Sequence, residues 1–484
     1  MWNKTEEKPR TAMGASYMWR RKLLRFVVAA CLVTSFTIFL WPEIEPHHEI
    51  TTQTISNITV TSEVECEPDF DALQRLDVHK LSQYVRREIV VSSSLSDVVP
   101  IAQRIEVPLF EKIHKDHRFA EDSVHQDDCL MPRPVSVSVP SILPRADASH
   151  IDFGVATTLE RLNESLDAFT HWAGHTNARI LALIEPDARV NEVLTKAENL
   201  GVNLSVTEST EEYQHRYFSL VPHLAKNLRP QTRWTCVIDD DTFFPSMTAL
   251  VQALSKYDDT AQTYVGGLSE AMPQVGIFGL MGFGGAGVFM SRPLIEQIGR
   301  KEVYEDCQKM ESTGDRKISL CIYQYSDAHL TIDHRLRQID MRGDVSGFFE
   351  AARPPPLSVH HWKSWFNADM AKLGVVSEIC GDSCLLRKWH FGDGWILTNG
   401  FSIVKYSNDV PPDDKSMELT WAGDNGAVFE SFLHELGPLR PKDEGKISYI
   451  HEDAIIDGNQ VRQWYIRRDP ELGDKVLELI WRKE

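Results

Sequence analysis

The chain has 484 residues, too many for one typical domain core, so we expect two folded units with appended segments. Hydrophobic residues make up 42% of it and charged residues 25%, which is ordinary for a globular protein. The formal net charge of -19 argues against nucleic acid as a partner, because a phosphate backbone is bound by a basic surface. The same acidity is compatible with an anionic substrate held through a metal ion.

The N-terminal segment has the pattern of a membrane anchor. An uncharged apolar run over 26–41 follows a basic cluster that contains Arg20, Arg21, Lys22 and Arg25. No small-residue cleavage site precedes Pro42, so 23–41 is predicted to be a signal anchor; the alternative is a cleaved signal peptide and a secreted protein. The basic flank predicts a cytosolic tail over 1–22 and a lumenal remainder. The short span fits the thin membranes of the Golgi or endoplasmic reticulum.

A lumenal location makes the cysteines interpretable, because disulfides form in an oxidising compartment. Of the eight cysteines, Cys31 falls in the predicted anchor, which leaves an odd number and one unpaired thiol. Cys236 is the candidate for this thiol, since it lies in a predicted buried strand. The predicted pairs are Cys307 with Cys321, Cys380 with Cys384 and, by elimination, Cys66 with Cys129.

Residues 42–145 are predicted to form a lumenal stem and an N-terminal extension. The first part, to about residue 65, is rich in Thr, Ser and Glu and has little apolar patterning. A helix is predicted over 71–88, and a proline-punctuated connector over 132–144.

Strands and helices alternate regularly from about residue 146. The predicted strands cover 151–157, 179–184 and 202–206, and the predicted helices cover 159–172, 190–200 and 211–228. This alternation is typical of an α/β fold with a mostly parallel sheet flanked by helices. Ligands of such sheets bind beyond the carboxyl ends of the strands.

Three adjacent carboxylates, Asp239, Asp240 and Asp241, end the next apolar run, which begins at Trp234. Like charges repel one another unless a cation lies among them, and a divalent metal is the expected cation at the end of a buried strand. A cation held by Asp oxygens binds a diphosphate in many proteins. The alternative is a solvated acidic turn, but the apolar run and two following phenylalanines favour the metal site.

Two later motifs add to this prediction. The glycine-rich segments 264–267 and 282–289 lack the Lys-Ser/Thr ending of a phosphate loop, and they predict close backbone approach to a bound sugar or to a floor strand. A helix is predicted over 293–299. His360 and His361 lie at a predicted strand end and are candidate ligands of the same metal; a purely structural role is the alternative.

The pattern changes from about residue 385. Short alternating segments at 395–397, 401–406 and 461–466 predict antiparallel strands. We therefore predict a catalytic α/β domain over 146–384 and a separate, small β-rich accessory domain over 385–484.

In this order the motifs resemble those of the Fringe-like, family 31 inverting glycosyltransferases, particularly the fungal members. The segments that carry the resemblance are 234–244, 264–267, 284–287, 307–321 and 360–362. The resemblance covers roughly 150–370 and implies a GT-A fold, a type II membrane anchor and a location in the Golgi. It also implies a UDP-sugar donor, a glycan or glycoprotein acceptor, and Mn²⁺ as cofactor, with Mg²⁺ as the alternative. The sugar is expected to be galactose or N-acetylglucosamine.

The resemblance also implies site residues. The metal ligands would be Asp241 with His360 or His361. The donor-binding residues would be Asp239, Asp240, Asp241, Gly284 and Gly285. Asp315 falls where the family places its catalytic base, although this chain has Gly314-Asp315-Arg316 in place of two adjacent acids.

The predicted reaction is chemically consistent. An inverting transfer needs one base to deprotonate the acceptor hydroxyl, and a metal can stabilise the leaving diphosphate as a Lewis acid. Asp315 could instead be an ion-pair partner of Arg316. A catalytically degenerate carbohydrate-binding or scaffold protein is the alternative function. A metal-dependent phosphohydrolase is disfavoured, because it needs more scattered His and Asp ligands.

Overall fold

The structure is a computed structural model that describes residues 68–94, 99–110, 134–366, 368–422 and 436–484. The chain divides into two units, Met1–Thr54 and Ile55–Glu484, and every described residue belongs to the second. None of the helices in these ranges combines the length and the apolar composition needed to cross a membrane. The predicted tail and anchor over 1–41 and the predicted Cys66–Cys129 pair lie outside the described residues.

The strands are numbered in chain order. They are β1 (Leu81–Ser94), β2 (Ala102–Ile105), β3 (Val135–Pro140), β4 (Ile151–Thr157), β5 (Arg179–Ile184), β6 (Asn203–Glu208), β7 (Trp234–Ile238), β8 (Tyr264–Gly266), β9 (Val288–Ser291), β10 (Leu330–Ile332), β11 (Arg342–Gly343), β12 (Lys388–Phe391), β13 (Ile396–Thr398), β14 (Ser402–Lys405), β15 (Met417–Glu418), β16 (Trp421–Ala422), β17 (Leu439–Arg440), β18 (Ile447–Asp457), β19 (Gln460–Arg467) and β20 (Asp474–Lys483).

The helices are numbered in the same way. They are α1 (Phe70–Arg75), α2 (Leu159–Ala173), α3 (Val190–Asn199), α4 (Tyr213–Phe218), α5 (Leu220–Lys226), α6 (Met247–Leu254), α7 (Met272–Phe278), α8 (Arg292–Ile298), α9 (Lys301–Gln308), α10 (Gly314–Tyr325), α11 (Ser346–Glu350), α12 (Met370–Gly374) and α13 (Ser377–Cys380).

The first sheet is mostly parallel, as predicted. Its order is β10-β8-β9-β7-β4-β5-β6, and β9 alone runs antiparallel to its neighbours β7 and β8. All seven residues of β4 are buried, because helices cover both faces of a sheet of this kind. The carboxyl ends of β4, β5 and β7 therefore open at one edge of the sheet.

The helix after β4 shows why the local prediction succeeded there. The Thr158 hydroxyl caps α2 by accepting a hydrogen bond from the Arg161 N–H. Leu162, Leu166 and Phe169 recur at helical spacing and are buried. The bounds predicted for β4 and β5 are confirmed, and the predicted helix over 159–172 extends by one residue.

The prediction of a single helix over 211–228 is wrong. The structure has two helices there, α4 and α5, which meet at Ser219. Pro222 has no N–H to donate to the carbonyl of Phe218, so the α-helical hydrogen-bond series is interrupted at this point. The break turns α4 toward the edge where the Asp triplet lies.

The second sheet differs from the predicted C-terminal domain. Its order is β2-β12-β13-β14-β18-β19-β20-β1-β3. The strands predicted near 395, 401 and 461 are present as β13, β14 and β19, but β1, β2 and β3 come from the N-terminal extension. β1 pairs with β20 in parallel, so the two ends of the described chain lie side by side.

The helix predicted over 71–88 is also wrong beyond its first turn and a half, since α1 ends at Arg75 and β1 begins at Leu81. Leu81, Tyr84, Val85 and Ile89 have helical spacing in the sequence, yet they are buried in a strand. The deciding contact is the ladder to β20, almost 400 residues away, which no local pattern reveals. Part of the predicted connector over 132–144 likewise forms β3.

The two sheets share one continuous hydrophobic core, so the β-rich unit is not a separate body in its packing. Trp172 beside the first sheet and Trp389 and Trp481 in the second belong to the same buried cluster. Two disulfides, Cys307–Cys321 and Cys380–Cys384, confirm the predicted local pairs, and Cys236 is buried and free as predicted.

A buried cluster of charged residues connects α11, which follows the strands of the first sheet in sequence, to the second sheet. The Lys446 ammonium lies 3.1 Å from a Glu350 oxygen and 2.7 Å from a Glu418 oxygen. The side chains of both glutamates are at most 1% exposed. Ser402 and Tyr406 also donate hydrogen bonds to Glu350, so the acid on α11 is fully engaged by the sheet.

Lys446→Met should lower the free energy of unfolding by about 3–5 kcal/mol, because it leaves buried carboxylates without their cation. Arg440 still lies 3.8 Å from Glu418 and partly compensates its charge. Most of the loss of stability is therefore expected from Glu350, which loses the Lys446 ammonium. Urea unfolding of the full chain measures the effect. Lys483→Met, at an exposed position in β20, is the matched control, and a loss below about 1 kcal/mol for Lys446→Met would contradict the prediction.

Candidate active site

The candidate site is a cavity of about 500 Å³ at the carboxyl ends of β4, β5 and β7. Its walls are formed by Thr157, Thr158, Arg161, Glu185, Tyr213, Arg216, Asp239, Asp240, Asp241, His360, His361, Ser364 and Trp365. A cavity of similar size, about 460 Å³, lies where the two sheets meet and is mainly apolar. We place the site at the first cavity because carboxylates and imidazoles converge there.

The Asp triplet is held by a tight turn after β7. Thr242 N–H donates to the Asp239 carbonyl at 3.1 Å, and the Thr242 hydroxyl accepts from Asp239 N–H at 3.1 Å. The same hydroxyl donates to the Gly285 carbonyl at 3.0 Å. The turn therefore directs the carboxylates into the cavity and fixes the glycine-rich segment behind them.

A pair of backbone hydrogen bonds brings the distant histidines to the triplet. Phe243 and Val359 exchange N–H···O bonds of 2.8 Å in both directions, as in an antiparallel pair. His360, the next residue, is thereby placed against the carboxylates. Its Nε2 lies 2.9 Å from Asp241 Oδ1 and 3.2 Å from Asp239 Oδ2.

His360 supplies a cation of the protein's own among the acids. Burial lowers its pKa, but the charges and hydrogen bonds of Asp241 and Asp239 outweigh burial and raise the pKa of His360 to about 10. Burial alone would raise the pKa of Asp241, yet His360 holds it down at about 2. The protonated His360 ring thus offsets part of the repulsion among the three carboxylates.

The same residues fit a metal ion. Asp241, His360 and His361 offer ligand atoms that all lie within 4.8 Å of one another, and a carboxylate with two imidazoles suits a divalent transition metal. His360 Nδ1 is buried and has no hydrogen-bond partner among the described residues. A bound metal would have to displace the proton of His360, so its affinity would rise with pH.

His361 is the more readily neutral of the two histidines. Burial and the neighbouring His360 lower the pKa of His361. Its ring stacks on Trp365 at 4.1 Å, and its Nε2 lies 3.0 Å from Asp340 Oδ1. A carboxylate on the far ring nitrogen is a common way to orient a metal-binding imidazole. Asp340 was not among the site residues predicted from the sequence.

Asp240 has a different partner from its neighbours. Its two oxygens accept hydrogen bonds from Arg161 Nε at 2.7 Å and Nη2 at 2.6 Å, and the Thr157 hydroxyl also donates to it. The Arg161 side chain remains 57% exposed, so Asp240 holds a guanidinium at the wall of the cavity. Arg161 lies in the first turn of α2, directly after β4. This position could have indicated it as a site residue, but it was not among those predicted from the sequence.

A second arginine at the cavity was also missed. Arg216 on α4 is buried, and its Nη2 donates to Glu185 Oε1 at 2.9 Å. Glu185 directly follows β5 and Arg216 lies on the helix after β6, so their meeting depends on the order of the strands in the sheet. The cavity wall therefore contains two guanidinium groups, those of Arg161 and Arg216.

Positions 284 and 285 have no room for a Cβ, because other side chains of the protein occupy the space beside Gly284 and Gly285. A Cβ on Gly285 would lie 2.1 Å from the His360 ring, and one on Gly284 would lie 1.9 Å from Tyr217 Oη. The 3₁₀ turn Gly284–Ala286 thus forms the floor on which His360 rests. A role in donor binding stays a prediction for both glycines.

Asp315 lies on the other side of this turn, near the start of α10. Its Oδ2 accepts a hydrogen bond from Gly284 N–H at 2.8 Å, and its Oδ1 accepts one from Arg316 N–H at 2.8 Å. Burial and the negative charge of Asp239 raise the pKa of Asp315 to about 6, against the effect of the two N–H donors. The Arg316 guanidinium lies over the Phe278 ring at 5.9 Å, so its contact with Asp315 is through the backbone.

Residues 186–341 match the family model described as Fringe-like. This segment contains the Asp triplet, the glycine turn and Asp315, whereas His360 and His361 follow it. The matched part is about a third of the chain. A comparison with curated proteins gives no match.

Similarity to solved structures is weak. A mannosyltransferase from Pyrobaculum calidifontis, solved with GDP-mannose and Mn²⁺, is 12% identical, with a TM-score of 0.28 over 40% of this chain and 58% of that one. The glycosyltransferase GlyE of Streptococcus pneumoniae is 12% identical, with a TM-score of 0.32 over 48% and 59% of the two chains. The galactosyltransferase LgtC is 13% identical, with a TM-score of 0.29 over 43% and 86%. This chain thus spans less than two thirds of the first two proteins.

Proposed function

We propose that the protein is an inverting, metal-dependent glycosyltransferase with a GT-A catalytic unit. It would transfer galactose or N-acetylglucosamine from a UDP-sugar to a hydroxyl of a glycan or glycoprotein. One observation carries the proposal. Asp241, His360 and His361 form a candidate metal site, and the glycine turn that His360 contacts at Gly285 also donates a hydrogen bond from Gly284 N–H to Asp315. Asp241, the turn and Asp315 belong to the Fringe-like segment, and the two histidines follow it. This arrangement supports a role for the first group in binding the diphosphate and for Asp315 as the base.

The donor would be held by two sets of residues. Asp241, His360 and His361 would bind Mn²⁺, or Mg²⁺ as the alternative, and the bound cation supplies Lewis-acid stabilisation of the leaving diphosphate. Arg161, fixed by Asp240, and Arg216 offer donors that suit the phosphates or the nucleoside. Asp239, whose side chain is 28% exposed, is the member of the triplet most open to the donor.

The acceptor hydroxyl would lose its proton to Asp315. A carboxylate with a pKa of about 6 is still ionised at neutral pH and is a stronger base than an ordinary Asp. The two backbone donors fix the orientation of the carboxylate, and the disulfide between α9 and α10 holds the helix that carries it.

The cell location follows from the sequence. We propose a single-pass type II protein of the Golgi or endoplasmic reticulum membrane, with the catalytic unit in the lumen. The two disulfides support an oxidising compartment, and the pattern over 20–41 supports the anchor.

A screen for UDP release tests the proposed activity. The full chain in detergent would be incubated with UDP-galactose, UDP-N-acetylglucosamine and UDP-glucose, with Mn²⁺ or with a chelator. We expect Mn²⁺-dependent turnover of at least one donor. No turnover together with no Mn²⁺-linked binding of UDP by calorimetry would favour the alternative, a degenerate carbohydrate-binding or scaffold protein.

The rate should fall as the pH drops through about 6, the pKa of Asp315, because a protonated carboxyl cannot accept the proton of the acceptor. The ordinary Asp value, 3.8, predicts instead a fall near pH 4. The measurement is kcat/KM between pH 4.5 and 8 at saturating Mn²⁺. Binding of UDP is measured in parallel, because loss of the metal at low pH would weaken UDP binding, whereas protonation of Asp315 would not.

A further inference from the structure

One exposed segment near Asp315 is unusual in its composition. Residues 272–280 comprise α7 and the two residues that follow it, and they contain no charged side chain. The uncharged run extends from Ala271 to Ser291 in a protein of which 25% is charged. Residues 281–291 of this run are buried, so the absence of charge needs a physical reason only in the exposed part, 272–280.

The segment is exposed along most of its length and makes few contacts, among them Phe278 with Arg316 and Phe283. No residue of α7 is buried, and a Cβ added at Gly276 or Gly279 would meet nothing within 4 Å. The buried residues Ala271 and Met281 attach it at both ends. Its apolar side chains, Ile277 and Leu280 above all, are therefore largely exposed to solvent.

These side chains form a patch with the outer face of α10, which we call the apolar rim. The rim consists of Met272, Ile277, Phe278, Leu280, Leu320 and Tyr323, which are between 37% and 62% exposed. The Tyr323 hydroxyl donates to the Leu280 carbonyl at 2.5 Å, so the segment is tied to the helix that carries Asp315. The rim thus lies beside the helix that carries Asp315.

The shape of the rim points to a bilayer. The rim is a protrusion, and a ligand of defined shape would need a groove to bury its surface. The interfacial region of a membrane receives apolar groups of any arrangement, and exposed apolar patches of this kind mark such contacts. The predicted anchor ends at residue 41 and the described chain begins at 68. The intervening chain spans at most roughly 90 Å when extended, so the proposed anchor would tether the described part of the chain beside the membrane.

We propose that the apolar rim inserts into the interfacial region of the lipid bilayer and turns the Asp315 side of the site toward acceptors at the membrane surface. This inference rests on the proposed membrane anchoring and, for the role of Asp315, on the proposed transferase function, whereas insertion of the rim is tested independently of activity. Insertion of Ile277 and Leu280, the two most exposed members, would supply most of the contact.

Photocrosslinking tests the proposal on the full chain. The protein would be reconstituted into phosphatidylcholine vesicles that contain phosphatidylcholine with a diazirine in the acyl chain, and labelled peptides would be mapped by mass spectrometry. We expect label in 272–280 of the wild-type protein and about tenfold less in Ile277→Asp/Leu280→Asp. Label in 23–41 is the internal reference. Leu472→Asp, at a residue 70% exposed in the turn between β19 and β20, is the control and should leave the rim label unchanged.

The other outcomes overturn the proposal or separate it from the anchoring. Label in 23–41 without label in 272–280 would overturn it, and so would equal labelling around Leu472. Label in 272–280 without label in 23–41 would support the rim and overturn the anchor. A wild-type rim without label, combined with loss of activity toward a soluble acceptor in the double variant, would assign the rim to acceptor binding instead.

Discussion

Asp315→Asn should lower the rate of sugar transfer by about a thousandfold while leaving the affinity for UDP and Mn²⁺ unchanged. General base catalysis contributes about 10²–10⁴-fold, and the amide cannot accept the proton of the acceptor hydroxyl. The amide oxygen still accepts a hydrogen bond from Gly284 N–H or Arg316 N–H, so the turn is expected to keep its shape. Transfer is measured as kcat at saturating donor, and binding by calorimetry.

Asp327→Asn is the matched control for this change. It makes the same substitution at an exposed position just beyond the end of α10 and should leave both quantities unaltered. Normal transfer by Asp315→Asn would mean that the base lies elsewhere. A parallel loss of UDP binding would mean that Asp315 supports the donor site rather than the chemistry.

Asp241→Asn should weaken the Mn²⁺-linked binding of UDP on the order of a hundredfold. The substitution removes the anionic oxygen nearest to His360, 2.9 Å away, and an amide is a poor ligand for a divalent cation. The measurement is a calorimetric titration of UDP with and without Mn²⁺. The difference between the two titrations reports the metal, independently of turnover.

The same variant should also lower the pKa of His360, because Asp241 is the largest of the influences that raise it. Histidine NMR signals followed from pH 6 to 10 would detect this change. Asp167→Asn, which alters an exposed ion pair on α2, should change neither UDP binding nor the titration of His360. Unchanged Mn²⁺-linked binding in Asp241→Asn would exclude Asp241 as a metal ligand.

Much of the first sheet could be predicted from sequence because its signals are local. β4 and β5 are mostly apolar runs between polar turns, and the cap at Thr158 marks the start of α2 within a few residues. The two confirmed disulfides join cysteines close in sequence, at separations of 14 and 4 residues. Errors arose where distant strands decided the outcome, as in β1, whose helical apolar spacing is overridden by the ladder to β20.

For the candidate site, the sequence alone determined the chemistry that is present: the three carboxylates after an apolar strand, the paired histidines, the glycine turn and Asp315. Only the tertiary structure decided which residue pairs with which carboxylate. The Phe243–Val359 bridge brings His360 to Asp239 and Asp241, whereas α2 gives Arg161 to Asp240. The physical reason is that hydrogen bonds and Coulomb interactions act over a few ångströms in space, and the residues that meet here are separated by about 80 to 120 positions in the chain.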